Sequence, residues 1–366
     1  MKLLEINVVC GVKSTGRIAT EIAKEYEQKG YEVKIAYGRD TVPYEYKKYA
    51  VKIGSKASVY YHALVSRIFD NAGFASKRAT KKFLKWADEY NPDVLWLHNL
   101  HGYYINIEML FDWIKSRPEM EVKWTLHDCW AFTGHCTHFI MAGCDKWQEE
   151  CFNCPKKGDY PKSVFLDKSK ENYQKKKVLF TGINNLTIYT PSEWLKEKVE
   201  RSFLKDYNVE VLPNTVDKNL FKPTESDVRK RYGISEDKKL IISVATAWTL
   251  SKGLDDLIKL SEMLDGDKYV VMAVGLSERQ ISELPRSIMG VGIVYANELV
   301  RIYSAADLLV STSKEETFGL TVLEASSCGT KAIVYKGTAC EEVALACGGK
   351  AVDMNVEALY EAIIEE

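Results

Sequence analysis

Apolar residues occur along this chain in short runs typical of buried strands, and polar loops with helical patterns separate the runs. The opening predicts a strand at residues 3–9, a glycine-bounded turn at residues 11–17, a helix from about Ile18 to Lys29, and a second strand at residues 31–37. A strand–loop–helix–strand unit of this size is typical of the start of a doubly wound α/β domain. The turn does not match the G-x-G-x-x-G dinucleotide fingerprint, so it predicts a fold and no particular nucleotide.

A second strand-to-helix turn lies in the stretch Ser311–Gly329, which is the most informative part of the sequence. After a polar loop, Phe318 and Gly319 open a segment whose apolar residues recur at helical spacing. Free backbone N–H groups and the positive end of a helix favour a phosphate there. Glu324, one turn inside the helix, is then positioned to reach sugar hydroxyls beside that phosphate. The alternative is that this glutamate lies on a solvated face.

Histidines mark a second candidate site. Two predicted strands end in His98 and His127, and the carboxyl ends of strands line the binding crevice of open α/β sheets. A structural role in the core is the alternative for any one of them. Five of the six histidines fall within a single stretch: His98, His101, His127, His135 and His138.

Cysteines are concentrated just after the second of these strands. Residues 151–154 form a C-x2-C knuckle, and two further cysteines precede it at spacings compatible with one metal ion. The sequence therefore predicts a structural zinc, with small buried thiols as the alternative. The predicted ligands are Cys136, Cys144, Cys151 and Cys154.

The length of the chain indicates how many domains it has, and its charge distribution indicates what kind of partner it binds. A chain of 366 residues suits two domains, and its net charge of −1 hides an asymmetry, because residues 1–190 carry 29 Lys+Arg against 22 Asp+Glu. A basic first half predicts an anionic partner, either a membrane surface or a lipid-diphosphate acceptor, and no motif suggests nucleic acid. The start of the chain lacks a signal-peptide pattern, so a cytoplasmic location is expected. One predicted helix has a basic face that is either a membrane contact or simply solvated: Lys77, Arg78, Lys81, Lys82 and Lys85.

The segment from Glu316 to Ala325, ETFGLTVLEA, resembles the Glu-x7-Glu signature of retaining GT-B glycosyltransferases, specifically glycosyltransferase family 4. The resemblance runs from residue 1 to about residue 355 and is closest to bacterial capsule and exopolysaccharide (colanic-acid-type) enzymes. It implies two Rossmann-like doubly wound domains facing across a cleft, with a Cys-rich insert at residues 129–155 of the first. The implied division is an acceptor-binding domain at 1–190, a hinge region at 191–217 and a nucleotide-sugar-binding domain at 218–366.

The same resemblance implies roles for individual residues. Lys252 stands where the family keeps a lysine on the donor diphosphate, but Ala247 replaces the usual arginine, with Arg17 as a possible substitute. The implied catalytic residues are His127, Glu316 and Lys252. The implied donor-binding residues are Gly16, Arg17, Phe318, Gly319, Leu320 and Glu324. The implied acceptor-side residues are His98, His101 and Tyr103. No catalytic metal is implied.

The predicted function is retaining transfer of a sugar from a nucleotide-sugar, with UDP favoured, to a lipid-linked saccharide in bacterial surface polysaccharide synthesis. The enzyme would lie on the inner face of the plasma membrane as a peripheral protein. Two alternatives remain open at this point: a non-catalytic nucleotide-sugar-binding scaffold and a GT-B-fold sugar-nucleotide epimerase. The chain ends soon after a last predicted helix begins, and two explanations remain open: a naturally short form of the enzyme or a truncated chain.

Overall fold

The computed structural model describes all residues from 1 to 366, and the chain divides into two compact units, Met1–Leu212 and Pro213–Glu366. Each unit is built on one sheet, of seven strands in the first and six in the second, and every pair of neighbouring strands is parallel. Parallel neighbours require a crossover, usually a helix, and helices follow most of the strands. The prediction of two doubly wound α/β domains is therefore confirmed.

The first unit has a strand order β3-β2-β1-β4-β5-β6-β7. The chain runs outward from β1 in one direction and then returns to β4 on its other side, so the topological switch point lies between β1 and β4. Its strands are β1 (Lys2–Asn7), β2 (Glu32–Tyr37), β3 (Ala50–Lys52), β4 (Val94–Leu97), β5 (Glu121–Thr125), β6 (Leu186–Thr190) and β7 (Asn208–Val211). Its helices are α1 (Lys13–Gln28), α2 (Lys56–Phe69), α3 (Lys77–Tyr90), α4 (Ile107–Lys115), α5 (Ser169–Phe180) and α6 (Glu193–Glu200).

The second unit repeats this plan with the order β10-β9-β8-β11-β12-β13, and its switch point lies between β8 and β11. Its strands are β8 (Lys239–Val244), β9 (Tyr269–Val274), β10 (Ile288–Val291), β11 (Leu308–Ser311), β12 (Lys331–Tyr335) and β13 (Lys350–Val352). Its helices are α7 (Val228–Arg231), α8 (Leu254–Met263), α9 (Glu278–Glu283), α10 (Ala296–Ala305), α11 (Leu320–Ser327), α12 (Ala339–Ala346) and α13 (Val356–Ile364).

Burial explains why the central strands read as continuous apolar runs. All four residues of β4 and all four of β11 are buried, as expected for strands with helices on both faces. Apolar clusters lie on both faces of each sheet. Polar residues that remain buried in such strands are therefore exceptions, and Glu5 in the middle of β1 is one of them.

The boundary between the units differs from the prediction. The predicted first domain ended at residue 190, but the structural division comes at Leu212, inside the predicted hinge of residues 191–217. The reason is β7, which pairs with β6 and extends the first sheet by one strand. Helix α6 covers this edge and buries Leu195 and Val199 completely. Most of the predicted hinge is thus part of the first unit.

None of the helices combines the length and the apolar character needed to cross a lipid bilayer.

The boundary generates a first prediction. A fragment of residues 1–212 should unfold cooperatively, whereas a fragment of residues 1–190 should be strongly destabilised. The shorter fragment loses the buried side chains of Leu195, Val199 and Val209. At about 2 kcal/mol each, these amount to roughly half of a typical domain's stability. Urea unfolding followed by circular dichroism measures this. Equal midpoints for the two fragments would show that β7 is not part of the first unit's core.

Candidate functional site

The loops after β8 and β11 meet at the switch point of the second unit, where they pack closely. Gly253 has a φ of +68°, and a Cβ at this position would lie 2.3 Å from the backbone oxygen of Thr312. The hydroxyl of Thr312 donates to the backbone oxygen of Lys252 at 2.9 Å. Glycine is therefore required at 253, since any side chain would separate the two loops.

This packing brings two predicted catalytic residues into contact. The Lys252 ammonium forms an ion pair with the Glu316 carboxylate. Burial alone would lower the pKa of Lys252, but the neighbouring Glu316 charge and hydrogen bond outweigh it and raise the pKa above its usual value. Lys252 is thus a cation held at the switch point, and each side chain keeps about a quarter of its surface exposed.

The start of α11 has the features of an anion site. Gly319 caps the helix with a φ of +101°, and a Cβ there would lie 2.8 Å from Cys340 Sγ. Phe318 is buried beside it, and Leu320 begins the helix. The first backbone N–H groups of a helix have no intrahelical acceptor, and they carry a partial positive charge. The structure therefore puts the predicted phosphate-binding backbone in the same loop as Glu316.

Glu324 is buried within α11 and does not lie on a solvated face. Its side chain accepts a hydrogen bond from the Tyr303 hydroxyl at 3.0 Å, and only 5% of Glu324 is exposed. Tyr303 lies in α10, and no sequence pattern predicts its contact with Glu324. A buried carboxylate needs such donors, because an unpartnered charge is very costly away from water.

In the first unit, the histidines after β4 and β5 form a chain of contacts at the switch point. His98 Nδ1 lies 3.1 Å from His127 Nε2, and His98 Nε2 lies 3.1 Å from Glu5 Oε2. The rings of His98 and His127 are nearly parallel, with centroids 5.3 Å apart. Burial lowers the pKa of His127 to about 4, which outweighs the opposing effect of the adjacent Asp128 charge.

A second contact chain runs through His101. Its Nε2 lies 2.7 Å from Asp128 Oδ2, and its Nδ1 lies 3.2 Å from the Tyr160 hydroxyl. Burial would raise the pKa of Asp128, but His101 and the backbone N–H of Trp130 overcome this and lower it to about 2. Asp128 is therefore an ionised carboxylate beside a neutral His127.

Two predicted residues take positions that narrow their predicted roles. His98, predicted on the acceptor side, is 1% exposed and uses both ring nitrogens within the protein, so it can act on a ligand only through His127. Tyr103 is also mostly buried and packs edge-on against Tyr160 at 5.9 Å. Sequence reasoning missed Glu5 because it looks like an ordinary strand residue.

Gly16 and Arg17 lie within α1, which begins at Lys13 and not at the predicted Ile18. A Cβ at Gly16 would lie 3.0 Å from Val9 Cγ2 and 3.2 Å from the Gly11 nitrogen, so glycine lets the helix pack on its own entry loop. Arg17 points to solvent.

The cysteine-rich segment at residues 129–155 follows β5 and contains two short 3-10 helices, Trp130–Phe132 and Lys146–Gln148. The four predicted ligands, Cys136, Cys144, Cys151 and Cys154, line one small cavity. A hydrogen bond with Cys136 lowers the pKa of Cys154 to about 7, although burial opposes this shift. No group of three or more His, Cys, Asp or Glu side chains is arranged to hold a metal ion, so zinc stays a prediction.

Comparison with known proteins supports the interpretation of the fold. Residues 224–365 match the family model described as glycosyl transferases group 1. An Escherichia coli protein, provisionally assigned as the colanic acid biosynthesis glycosyl transferase WcaC, is 23% identical over 96% of this chain and 87% of its own.

Two solved structures share the fold over the whole chain. Sucrose-phosphate synthase from Thermosynechococcus elongatus superposes with a TM-score of 0.69 at 15% identity, covering 100% of this chain and 89% of the other. Anabaena HepE in complex with UDP and glucose superposes with a TM-score of 0.62 at 15% identity, covering 99% and 89%.

The two parallel-sheet units define the GT-B class of fold. Within that class, the second unit matches the group 1 glycosyltransferase model over residues 224–365, and the enzymatic class of the chain is that of a glycosyltransferase.

Proposed function

We propose that this protein is a retaining glycosyltransferase of family 4, which moves a sugar from a UDP-sugar to a lipid-linked saccharide in bacterial surface polysaccharide synthesis. The observation that carries the proposal is the Lys252–Glu316 ion pair in the same loop system as the start of α11. A cation, a carboxylate and free helix N–H groups together match the parts of a nucleotide-sugar: a diphosphate and a polyhydroxylated ring.

For the donor, the diphosphate would bind the backbone at Gly319 and Leu320 together with the Lys252 ammonium. Glu316 neutralises Lys252 in the ligand-free chain. A bound diphosphate would take over this neutralising role and release the Glu316 carboxylate to accept hydrogen bonds from the sugar ring. Glu324 would accept hydrogen bonds from the ribose hydroxyls. The UDP complex of a protein with the same fold favours UDP.

In the proposed reaction, the bond between the sugar's anomeric carbon and the diphosphate oxygen breaks while the acceptor oxygen bonds the same carbon on the same face. The acceptor proton passes to the departing phosphate oxygen, so no protein nucleophile is used. Lys252 would stabilise the negative charge that develops on the diphosphate. His127, whose pKa of about 4 keeps it neutral at pH 7, would donate or accept a hydrogen bond at the sugar without adding charge.

For the acceptor, an exposed apolar patch in the first unit supports a lipid-linked molecule. This patch comprises the outer face of α2 and the loop at residues 164–166, where Tyr60 is 75% and Phe165 70% exposed. The loop is tied to the end of α2 by the Val164 N–H, which donates to the backbone oxygen of Arg67 at 2.7 Å. Contiguous exposed apolar side chains often mark membrane or protein contacts.

The position and charge of the apolar patch favour a membrane. The chain runs from the patch to Tyr160 within a few residues, and the Tyr160 hydroxyl contacts His101, one of the predicted acceptor-side residues. Exposed basic residues lie on the patch at Arg67 and Lys162, and others form the outer face of α3. Apolar side chains rimmed by cations suit an anionic bilayer surface, where a lipid-linked saccharide would present its head group. The enzyme would then be a cytoplasmic protein bound peripherally to the inner membrane face.

For the cysteine-rich segment we propose a structural zinc held by Cys136, Cys144, Cys151 and Cys154. The donor set suits zinc, since the four thiols surround one cavity and the Gly134 N–H donates to Cys151 Sγ at 3.3 Å. Zinc would require the sulfurs to converge further than they do in the structure. Four thiolates would leave no open position on the ion, so it would stabilise the segment and take no part in the transfer.

The donor site is tested first. UDP and UDP-sugars at about one hundred times their dissociation constant should stabilise the protein by about 2.7 kcal/mol in a thermal-shift assay. Lys252→Ala should lose most of this effect, because the diphosphate loses its cation. A matched control is Lys350→Ala, which removes a lysine paired with Glu366 at the opposite edge of the same sheet. If the two variants respond alike, or if UDP, GDP and ADP all leave the wild type unchanged, the proposed donor site is wrong.

The proposal of membrane binding predicts that the protein binds vesicles of mixed neutral and anionic phospholipid, as measured by co-sedimentation. The double variant Leu64→Ser/Phe165→Ser should bind at least about tenfold more weakly, since each buried apolar side chain contributes about 1.5–3 kcal/mol. Val178→Ser in α5 is the control, because Val178 is 72% exposed in the same unit but outside the patch. Equal binding by both variants, or no binding by the wild type, would contradict the membrane proposal.

The zinc proposal predicts about one zinc per purified chain by elemental analysis. The double variant Cys151→Ser/Cys154→Ser should contain almost none and should melt at a lower temperature. Cys10→Ser is the control, because Cys10 is a buried thiol of the same unit outside the segment. A metal-free wild type purified with zinc present throughout would leave the alternative of simple buried thiols.

A further inference from the structure

Glu5, His98 and His127 form a continuous line of side-chain contacts from the interior of the first sheet to its carboxyl edge. Glu5 Oε2 lies 3.1 Å from His98 Nε2, and His98 Nδ1 lies 3.1 Å from His127 Nε2. Neither Glu5 nor His98 has any exposed side-chain surface. Only His127 is partly accessible, so the line has one outward end.

The positions of the protons along this line follow from the environment of Glu5. Its other oxygen, Oε1, is buried without a hydrogen-bond partner, and the titratable groups near the carboxyl are His98 and the Cys10 thiol. A buried ionised carboxylate with one hydrogen-bond contact is very unfavourable. Burial accordingly raises the pKa of Glu5 well above its usual value and lowers that of His98 well below its own. The carboxyl is therefore the neutral acid, and it is the donor in its contact with His98.

The direction of the Glu5–His98 hydrogen bond determines where every other proton in the line lies. If Glu5 donates to His98 Nε2, then that nitrogen is unprotonated, and the proton of the neutral His98 ring must be on Nδ1. His98 Nδ1–H then donates to His127 Nε2. The single proton of the neutral His127 ring is consequently on Nδ1, the nitrogen that is not used in this line. We propose that Glu5 is a positioning residue that, through His98, holds His127 in its Nδ1–H tautomer.

The consequence for the reaction rests on the proposed function. A His127 ring held in this tautomer has its hydrogen-bond donor on Nδ1 and cannot accept a proton at Nε2 without breaking its contact with His98. His127 would then be a neutral donor toward an oxygen of the sugar and would not act as a general base. A donor whose position is fixed before the reaction costs little reorganisation as charge develops.

The opposite proton order makes a distinct prediction. An ionised Glu5 would accept from His98 Nε2–H, His98 Nδ1 would accept from His127 Nε2–H, and Nδ1 of His127 would be the acceptor. Heavy-atom positions are the same in both orders, so the nitrogen protonation states must be measured.

The test is long-range 1H–15N NMR of the histidine rings at pH 7, in full-length protein without ligand. Protonated and unprotonated ring nitrogens have well-separated 15N shifts, and the chain has only six histidines. His62 is an internal reference, because the Gly73 N–H donates to its Nε2 at 3.1 Å and its pKa is lowered to about 4 by burial. It must therefore be in the Nδ1–H form. We expect His98 and His127 to show the same pattern as His62, and Nε2–H on His127 in the wild type would overturn the inference.

Two variants separate positioning from mere packing. Glu5→Gln keeps the shape and offers an amide donor to His98 Nε2, so the Nδ1–H pattern of His127 should survive. Glu5→Leu removes the donor, and His127 should shift toward the Nε2–H form while the His62 signals stay unchanged. An unaltered His127 pattern in a folded Glu5→Leu protein would contradict the role of Glu5. If Glu5→Leu does not fold, the wild-type and Glu5→Gln spectra still decide the proton order.

Activity gives an independent readout. In a sugar-transfer assay, Glu5→Leu should lower kcat about tenfold, as expected for one lost hydrogen bond near the reaction, with a much smaller change in the donor KM. Glu5→Gln should lose less. A loss confined to KM would contradict the positioning role. If the wild type transfers no sugar, the proposed function fails, whereas the tautomer inference is still decided by the NMR spectra.

Discussion

The constraint on which both units depend is the parallel pairing of every strand. Parallel neighbours direct all carboxyl ends to the same edge of a sheet, and a change in winding direction leaves a gap between two loops at that edge. In the first unit the gap lies between β1 and β4, and in the second between β8 and β11. The candidate residues lie at these two positions because the loops there run in opposite directions away from the switch point and leave the gap between them open.

The contents of the two switch points differ in electrostatics. The second unit holds an ion pair, Lys252 with Glu316, and a carboxylate, Glu324, that accepts a tyrosine hydroxyl hydrogen bond. Such an arrangement is charged but internally balanced, and a diphosphate bound there as proposed would replace Glu316 as the partner of the Lys252 cation. The first unit holds His98 and His127, whose pKa values are lowered by burial, beside one ionised carboxylate, Asp128. Phosphate chemistry suits the former, whereas hydrogen bonding to hydroxyl groups suits the latter.

How much the sequence could predict depended on whether a residue's role was local. The strand–loop–helix pattern around Gly319 and Glu324 is contained in about fifteen residues, and the helix begins at Leu320 after the Gly319 cap, as the pattern predicts. The Lys252–Glu316 contact joins loops far apart in sequence, and only the family resemblance placed both residues in one site. Tyr303 and Glu5 carried no signal, since a tyrosine in an amphipathic helix and a glutamate in a strand are both common.

The errors have the same origin. The first domain was predicted to end too early because β7 is a short strand with two exposed positions, and its membership in the sheet is set by pairing with β6. His98 was predicted to face the acceptor because a histidine after a strand usually points into the crevice. Here Glu5 lies two residues before the end of β1, on the same side of the sheet, and holds the ring inside.

The environment of His127 shows which effect dominates at the carboxyl edge of the first sheet. The adjacent Asp128 is ionised and by itself would raise the pKa of His127. Burial penalises a cation at His127 and is the largest effect on its pKa, and His101, which lies 2.7 Å from the Asp128 carboxylate, lowers the pKa of His127 further. The result is a neutral imidazole on the residue next to an ionised carboxylate. Two adjacent residues therefore differ in charge, because burial outweighs the Asp128 charge at His127, whereas His101 from the loop that follows β4 stabilises the ionised Asp128 carboxylate.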